Sequence, residues 1–188
     1  MVQTPPTQVL TLEEFLALPE TEPANEYIDG QIIQKPMPQG EHSAIQTELA
    51  PTINAVVRVD QVARAFTELR CTFGGRSIVP DISVFRSTRI PRKENGRIEN
   101  VFSLAPDWTI EILSPDQNQT KVTKNIFHCL KYGTQIGWLI DPAEQCVFVY
   151  LPDQPSALYD EAKMLLPVPE FAAGLTLTVE GLFSWLRV

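Results

Sequence analysis

Apolar positions along this chain fall into short strand-like runs and two longer stretches with helical spacing. VARAFTEL (62–69), SIVPDISVF (77–85) and WTIEIL (108–113) read as strands, separated by the Gly74-Gly75 turn and by a basic loop. In EHSAIQTELAPTINAVV, Ile45, Leu49, Ile53, Val56 and Val57 recur at helical spacing. This predicts a helix that Pro51 should kink or divide. A second helix is predicted in TKVTKNIFHCLKYG, where Val122, Ile126, Cys129, Leu130 and Gly133 share a face and Gly133 supplies the stop. GWLID and QCVFVYL then form a hairpin around Asp141-Pro142.

Upstream, Thr11 and Glu14 fit a capping box that opens a short helix through Leu18, ended by Pro19. EYIDGQII carries the Asp29-Gly30 hairpin signal. The tail, with LPDQPS, LLPVPEF and LTLTVEGLFSWLRV, predicts proline-rich connections, a final short strand and a helix. From residue 41 the order is helix, strand, strand, strand, helix, strand. Pro80 cannot donate a ladder hydrogen bond, so the second strand should be an edge, bulged or splayed there.

With 188 residues, 44% of them apolar, one sizeable core is expected. The reading is one domain over 1–188, with its core at about 41–151 and a C-terminal extension at 152–188. No apolar run approaches the roughly 18 to 20 residues of a membrane span, and MVQTPPTQVL lacks the blocks of a signal peptide. A soluble cytoplasmic protein is the expectation. Cys71, Cys129 and Cys146 show no CxxC pairing and read as reduced structural residues; His128 reads as structural.

The net charge of −8 argues against nonspecific coating of nucleic acid, but it conceals an asymmetry. Residues 1–57 hold one lysine against eight acids, 58–131 hold twelve bases against eight acids, and 132–188 hold two against seven. The loop RSTRIPRKENGR carries Arg86, Arg89, Arg92, Lys93 and Arg97 against Glu94 alone. It reads either as a phosphate-contacting loop or as a solvated linker.

Strand alternation sets Ile78, Ile82 and Val84 on one face and Val79, Asp81 and Ser83 on the other. In WTIEIL it opposes Ile110 and Ile112 to Thr109, Glu111 and Leu113. If these strands are neighbours, Asp81 and Glu111 come close enough to share a divalent cation. Two hard oxygen donors suit magnesium or manganese, which can polarise a phosphodiester and activate water. A nearby cation would stabilise the developing phosphate charge, with Lys121 and Lys124 at the start of the next helix as candidates. Alternatively, each acid only salt-bridges an arginine.

PDISVF, then IEILSP about thirty residues later, then a helix and GWLIDP resemble a large family of uncharacterised restriction-endonuclease-like proteins in the PD-(D/E)XK nuclease superfamily. The resemblance spans Glu26 to Tyr150 and implies an α/β fold whose core is a helix, three strands, a helix and a strand on a mixed sheet, here with an added N-terminal hairpin. By position it implies that Asp81 and Glu111 are metal ligands, that the main-chain carbonyl of Ile112 contributes, and that Glu26 completes the site. His42 stands where many relatives carry a histidine. The superfamily lysine two residues after the second acid is Leu113 here. The family's substitute lysine, on the following helix, falls at Asn125. Lys121, one turn earlier on the same face, is preferred over Lys124, which is rotated by about 100°.

The resemblance therefore implies a Mg²⁺- or Mn²⁺-dependent endonuclease acting on DNA, with a homodimer as an added possibility. The alternatives are a degenerate nuclease fold serving as a nucleic-acid-binding or protein-interaction module, and a metal-dependent enzyme acting on a small phosphorylated substrate in a deep pocket.

Overall fold

The computed structural model describes residues 10–115 and 117–187. Most of the MVQTPPTQVL start and Asp116 of the DQNQT run therefore lie outside the described residues. The chain opens with α1 (Leu12–Leu16), the hairpin β1 (Asn25–Ile28) and β2 (Gln31–Gln34), and the long α2 (Gly40–Val57). Strands β3 (Ala63–Thr67), β4 (Cys71–Phe73), β5 (Arg76–Ile78), β6 (Ile82–Arg86) and β7 (Trp108–Ile112) lead to α3 (Gln119–Lys131). It closes with β8 (Ile136–Asp141), β9 (Cys146–Tyr150), β10 (Ala157–Tyr159), a 3-10 turn at Glu170–Ala172 and α4 (Val179–Ser184).

Local chemistry sets the hairpin. Asp29 and Gly30 both have positive φ, 51° and 83°, as a two-residue turn matched to the strand twist requires. That turn fixes the register, with Ile28 opposite Gln31 and Glu26 opposite Ile33. The capping box of α1 is present, Thr11 and Glu14 each accepting from the other's backbone N–H, although the helix ends at Leu16.

The central sheet runs β10-β9-β8-β7-β6-β3 and is mixed, because β7 and β8 are parallel while its other pairs are antiparallel. A second sheet, β2-β1-β5-β4, contains the N-terminal hairpin. On one face of the central sheet, Ile45, Leu49 and Ile53 of α2 pack with Ile82, Val84, Ile110, Ile112 and Trp138, joined by Leu182 and Phe183 of α4. On the other face, Val122 and Ile126 of α3 pack on Leu113 and Leu139, and the second sheet contributes Cys71, Phe73 and Ile78 around Phe85 and Phe102. This second face is the one that carries Glu111.

Gly137 sets how closely α3 approaches the sheet, since a Cβ there would run into the Ile126 side chain. Gly137→Ala is expected to cost about 1–3 kcal/mol through overpacking. A urea melt with an unchanged midpoint would contradict this close packing.

Three details depart from the sequence-based expectations. SIVPDISVF is not one strand: β5 belongs to the second sheet and β6 to the central one, with a corner at Val79-Pro80-Asp81. Ile78 consequently packs with Phe85 rather than with Ile82 and Val84. The missing Pro80 donor explains the break, and the Val79 N–H is free to bond the Glu26 carboxylate instead. Pro51 does not divide α2, because it lies on the exposed face and the carbonyl it leaves unpaired belongs to Thr47 on that same face. The LTLT segment forms only a bridge between Leu165 and Thr178, and the last strand is β10, just after LPDQPS.

Candidate active site

Asp81 sits at the corner where the chain crosses from the second sheet to the central one. The β6–β7 register pairs Ile82 with Ile110, so one step back Asp81 stands opposite Glu111. Both carboxylates are almost fully buried, at 2% and 5% exposure. Glu26 reaches the same region from β1, at 6% exposure, accepting from Val79 N at 2.8 Å and from Asn125 Nδ2 at 3.3 Å.

The cation beside these acids is Lys35, one residue past β2. Its Nζ donates to Asp81 Oδ1 at 2.6 Å, to the Val79 carbonyl at 2.7 Å and to Glu68 Oε2 at 3.1 Å. Asp81 Oδ2 accepts from Ile112 N at 2.7 Å and lies 3.1 Å from His42 Nε2 at the start of α2. Gln46 donates to the Asp81 carbonyl and to Glu68 Oε1, each at 2.9 Å. Glu68 holds its position at the mouth of the site with φ +49°, a left-handed conformation uncommon for a non-glycine residue.

These contacts separate the two central acids. Burial by itself would raise the Asp81 pKa, but Lys35 and His42 outweigh it and hold this carboxyl at about 2. Lys35 is also opposed by burial, and the charges of Asp81, Glu111 and Glu68 overcome that and raise its pKa, so it stays an ammonium. Glu111 is pushed well above the ordinary value by burial and then by the Asp81 charge, with Lys35 only partly offsetting them. No hydrogen bond or ion pair among the described residues supports its ionised form. Burial likewise raises Glu26.

The raised Glu111 pKa has a thermodynamic sign. The unfolded chain ionises at 4.5 while the folded carboxyl resists, so Glu111 weakens the fold as pH rises above 4.5. Glu111→Gln is expected to stabilise the protein at neutral pH by about 0.5–2 kcal/mol. The gain should fade below pH 4.5, where the glutamate is protonated in both states. Urea melts across this range check it, and a destabilised variant at neutral pH would contradict the strain.

The structure thus brings Asp81, Glu111, Glu26 and His42 together, with the Ile112 main chain against Asp81. It does not bring the anticipated helical lysines to Asp81. Lys121 is exposed and lines a cavity of about 330 Å³ with Glu26, Lys35 and Asn125, while Lys124 is exposed and makes no hydrogen bond or ion pair among the described residues. Leu113, on the same face as Glu111, packs into the apolar layer under α3 and brings no charge to the acids. The basic loop lies at the far end of β6 from Asp81, about 17 Å away at ~3.3 Å per residue. Within it, Arg89 is committed to Asp107 at 2.8 Å and to the Ala105 carbonyl, and Arg86 lies over the Phe171 ring. His128 is structural, its Nε2 3.1 Å from the Phe73 carbonyl and its ring stacked on Phe73.

Lys35 and Glu68 were missed in the sequence, and the lysine had a readable signal. With the turn at Asp29-Gly30, the hairpin pairs Glu26 with Ile33, and two residues on places Lys35 on the face of Glu26. Its N–H in fact bonds the Ala24 carbonyl, continuing that register. Glu68 had no comparable signal, because its place depends on the turn after β3.

Lys35 separates two recesses. Besides the cavity on the Glu26 side, a cleft of about 420 Å³ is lined by Lys35, His42, Glu68, Arg70, Asp81 and Gln117, among others. Among the described residues, no cluster of three histidine, cysteine or acidic side chains is arranged to enclose a metal ion. The oxygen donors whose chemistry fits a hard cation are Asp81 and Glu111, the latter a buried carboxyl whose ionisation Lys35 only partly compensates.

The mixed central sheet with helices on both faces is a restriction-endonuclease-like fold. The chain belongs to the Uma2 family, described as "Putative restriction endonuclease", whose profile matches residues 12–180. It is similar to "a putative nuclease belonging to DUF820" from Anabaena variabilis ATCC 29413, known from a crystal structure. That match has a TM-score of 0.93 at 68% identity and covers 94% of this chain and 99% of the other. Comparison with curated proteins gives no match. No helix among the described residues is long and apolar enough to cross a membrane.

Proposed function

We propose that the protein is a metal-assisted nuclease that hydrolyses phosphodiester bonds of DNA at the Asp81–Glu111–Lys35 centre. One observation carries this reading: a buried ammonium is held against one carboxylate while a second buried carboxyl beside it has no hydrogen-bond or ion-pair partner among the described residues and is only partly compensated by that ammonium. A salt bridge serving stability alone does not require that second acid.

Asp81 and Glu111 would hold the cation, with the Ile112 carbonyl as a further oxygen donor; magnesium and manganese match this set. Bound there, such an ion supplies Lewis-acid polarisation of the phosphate and lowers the pKa of water. Lys35 would turn the N–H now given to Glu68, the most exposed of its partners, to a non-bridging phosphate oxygen, and so stabilise the charge that grows in the transition state. His42 Nε2 and the Ile112 N–H fix the Asp81 carboxylate. Glu26 fixes the corner by accepting from Val79 N, while Asn125 orients Glu26. Lys121, on the wall of the adjoining cavity, contacts the backbone of the bound strand rather than the reacting phosphate.

The test is plasmid DNA incubated with purified protein and either magnesium or manganese. Nicked or linear product that a chelator prevents is expected. Absence of product with either ion, from protein that is folded by circular dichroism, overturns the reading.

A further inference from the structure

A groove of about 820 Å³ lies between the exposed side of α2 and the edge strand β3. It begins at Gln46 and Glu68, the two residues that bond each other beside Lys35 and Asp81. From there it runs toward Arg64 and Arg58, and β3 carries it about 13 Å at ~3.3 Å per residue. Its exposed lining includes Thr47, Arg58, Arg64 and Thr67.

β3 is an outer strand of the central sheet, which normally invites a second strand to pair with it. Here Asn54 of α2 blocks that pairing. Its side chain accepts from Ala65 N at 3.0 Å and donates to the Ala65 carbonyl at 3.1 Å, consuming both outward main-chain groups. Alternation by two places the Thr67 main chain outward in the same sense, next to the active cleft.

The charges favour a polyanion. Neither Arg58 nor Arg64 forms an ion pair among the described residues, and Arg64 lies over the Phe66 ring at 5.4 Å. The one acid in the lining, Glu68, stands at the end nearest the centre, where it shares Lys35 with Asp81. In a chain of net charge −8, the far part of this groove carries two arginines and no acid, and its near end opens beside Lys35 and Asp81.

We infer that the α2–β3 groove is a binding site for the phosphodiester backbone of one substrate strand, leading it from the Lys35–Asp81 centre past Thr67 to Arg64 and Arg58. This inference rests on the nuclease reading and names where its substrate lies. Arginine, threonine, glutamine and free main-chain N–H groups are the donors that commonly contact phosphates.

Binding of short fluorescent DNA, single-stranded and duplex, is measured by anisotropy in chelator between about 50 and 200 mM salt. Measured without divalent metal, binding reports separately from cleavage. For Arg58→Ala and Arg64→Ala the slope of log affinity against log salt should become shallower by about 0.7–0.9 each, with Arg→Lys restoring it. Lys163→Ala, outside the groove, should keep the wild-type slope. Thermal melts confirm that the variants are folded, and if Arg64→Ala is not, Arg64→Gln replaces it. An unchanged slope in the double alanine variant overturns the inference, as does wild-type protein that binds neither DNA form. Shallower slopes without any cleavage would support the groove while refuting the nuclease reading; cleavage with unchanged slopes would do the reverse.

Discussion

Lys35→Met should lower DNA cleavage by about 10²–10³-fold, the usual cost of removing one preorganised donor to transition-state charge. Methionine keeps the length and apolar stem of the lysine but removes the ammonium that now contacts Asp81, Glu68 and the Val79 carbonyl. The fold should persist, because Asp81 keeps the Ile112 N–H and His42 as partners. Single-turnover cleavage at saturating metal isolates the chemical step. Lys124→Met serves as the comparison, since this exposed side chain makes no polar contact with the site. If Lys124→Met were crippled and Lys35→Met active, the assignment of the catalytic cation would be wrong.

Asp81→Ala should have the largest combined effect. Cleavage should fall to background, because the substitution removes one of the two proposed carboxylate ligands and the group that orients Lys35. Stability should fall as well, by about 3–5 kcal/mol, since the change leaves a buried ammonium without its nearest counter-ion. For a chain of this size that corresponds to a melting-point drop of roughly 6–20 °C. The pH dependence has the opposite sign to that of Glu111. The folded Asp81 carboxyl titrates at about 2 against an ordinary 3.8, so its contribution is present above 3.8 and lost as pH falls toward 2. The deficit of Asp81→Ala should therefore be full at neutral pH and shrink through that interval. A deficit independent of pH would point to lost packing rather than a lost ion pair.

The two changes also distinguish the acids. Removing the charge at Glu111 should stabilise the fold, while removing Asp81 should destabilise it, although both should abolish cleavage. Sites whose geometry serves chemistry often carry such local cost. A site built only for stability would lose stability from both substitutions.

The alternation in WTIEIL made the Glu111 face readable, because β7 is a regular strand buried on both sides. Asp81 could be placed on a sheet face in the sequence, but not at a corner between two sheets. That arrangement depends on where the Val79 N–H finds an acceptor, and the acceptor is 53 residues away. The hairpin register needed only Asp29-Gly30, and it carries Lys35 to Glu26 from upstream of both acids rather than from the helix after Glu111. The basic loop was conspicuous as composition, yet strand direction sends it to the end of β6 opposite Asp81. Charge in a sequence has no direction until the strand that bears it is placed. The α2–β3 groove was illegible for a similar reason, since Arg58 and Arg64 flank a turn and meet the site only through packing.

If Asp81 and Glu111 together hold a divalent cation beside Lys35, as proposed, manganese should bind the protein at that one place. Electron paramagnetic resonance of a manganese titration reads this binding, comparing wild type with Asp81→Asn, Glu111→Gln and Lys35→Met. One bound ion is predicted in wild type, retained in Lys35→Met and lost from both carboxylate variants. Manganese binding that survives both Asp81→Asn and Glu111→Gln, or that is absent from folded wild type with DNA present, would contradict the proposal.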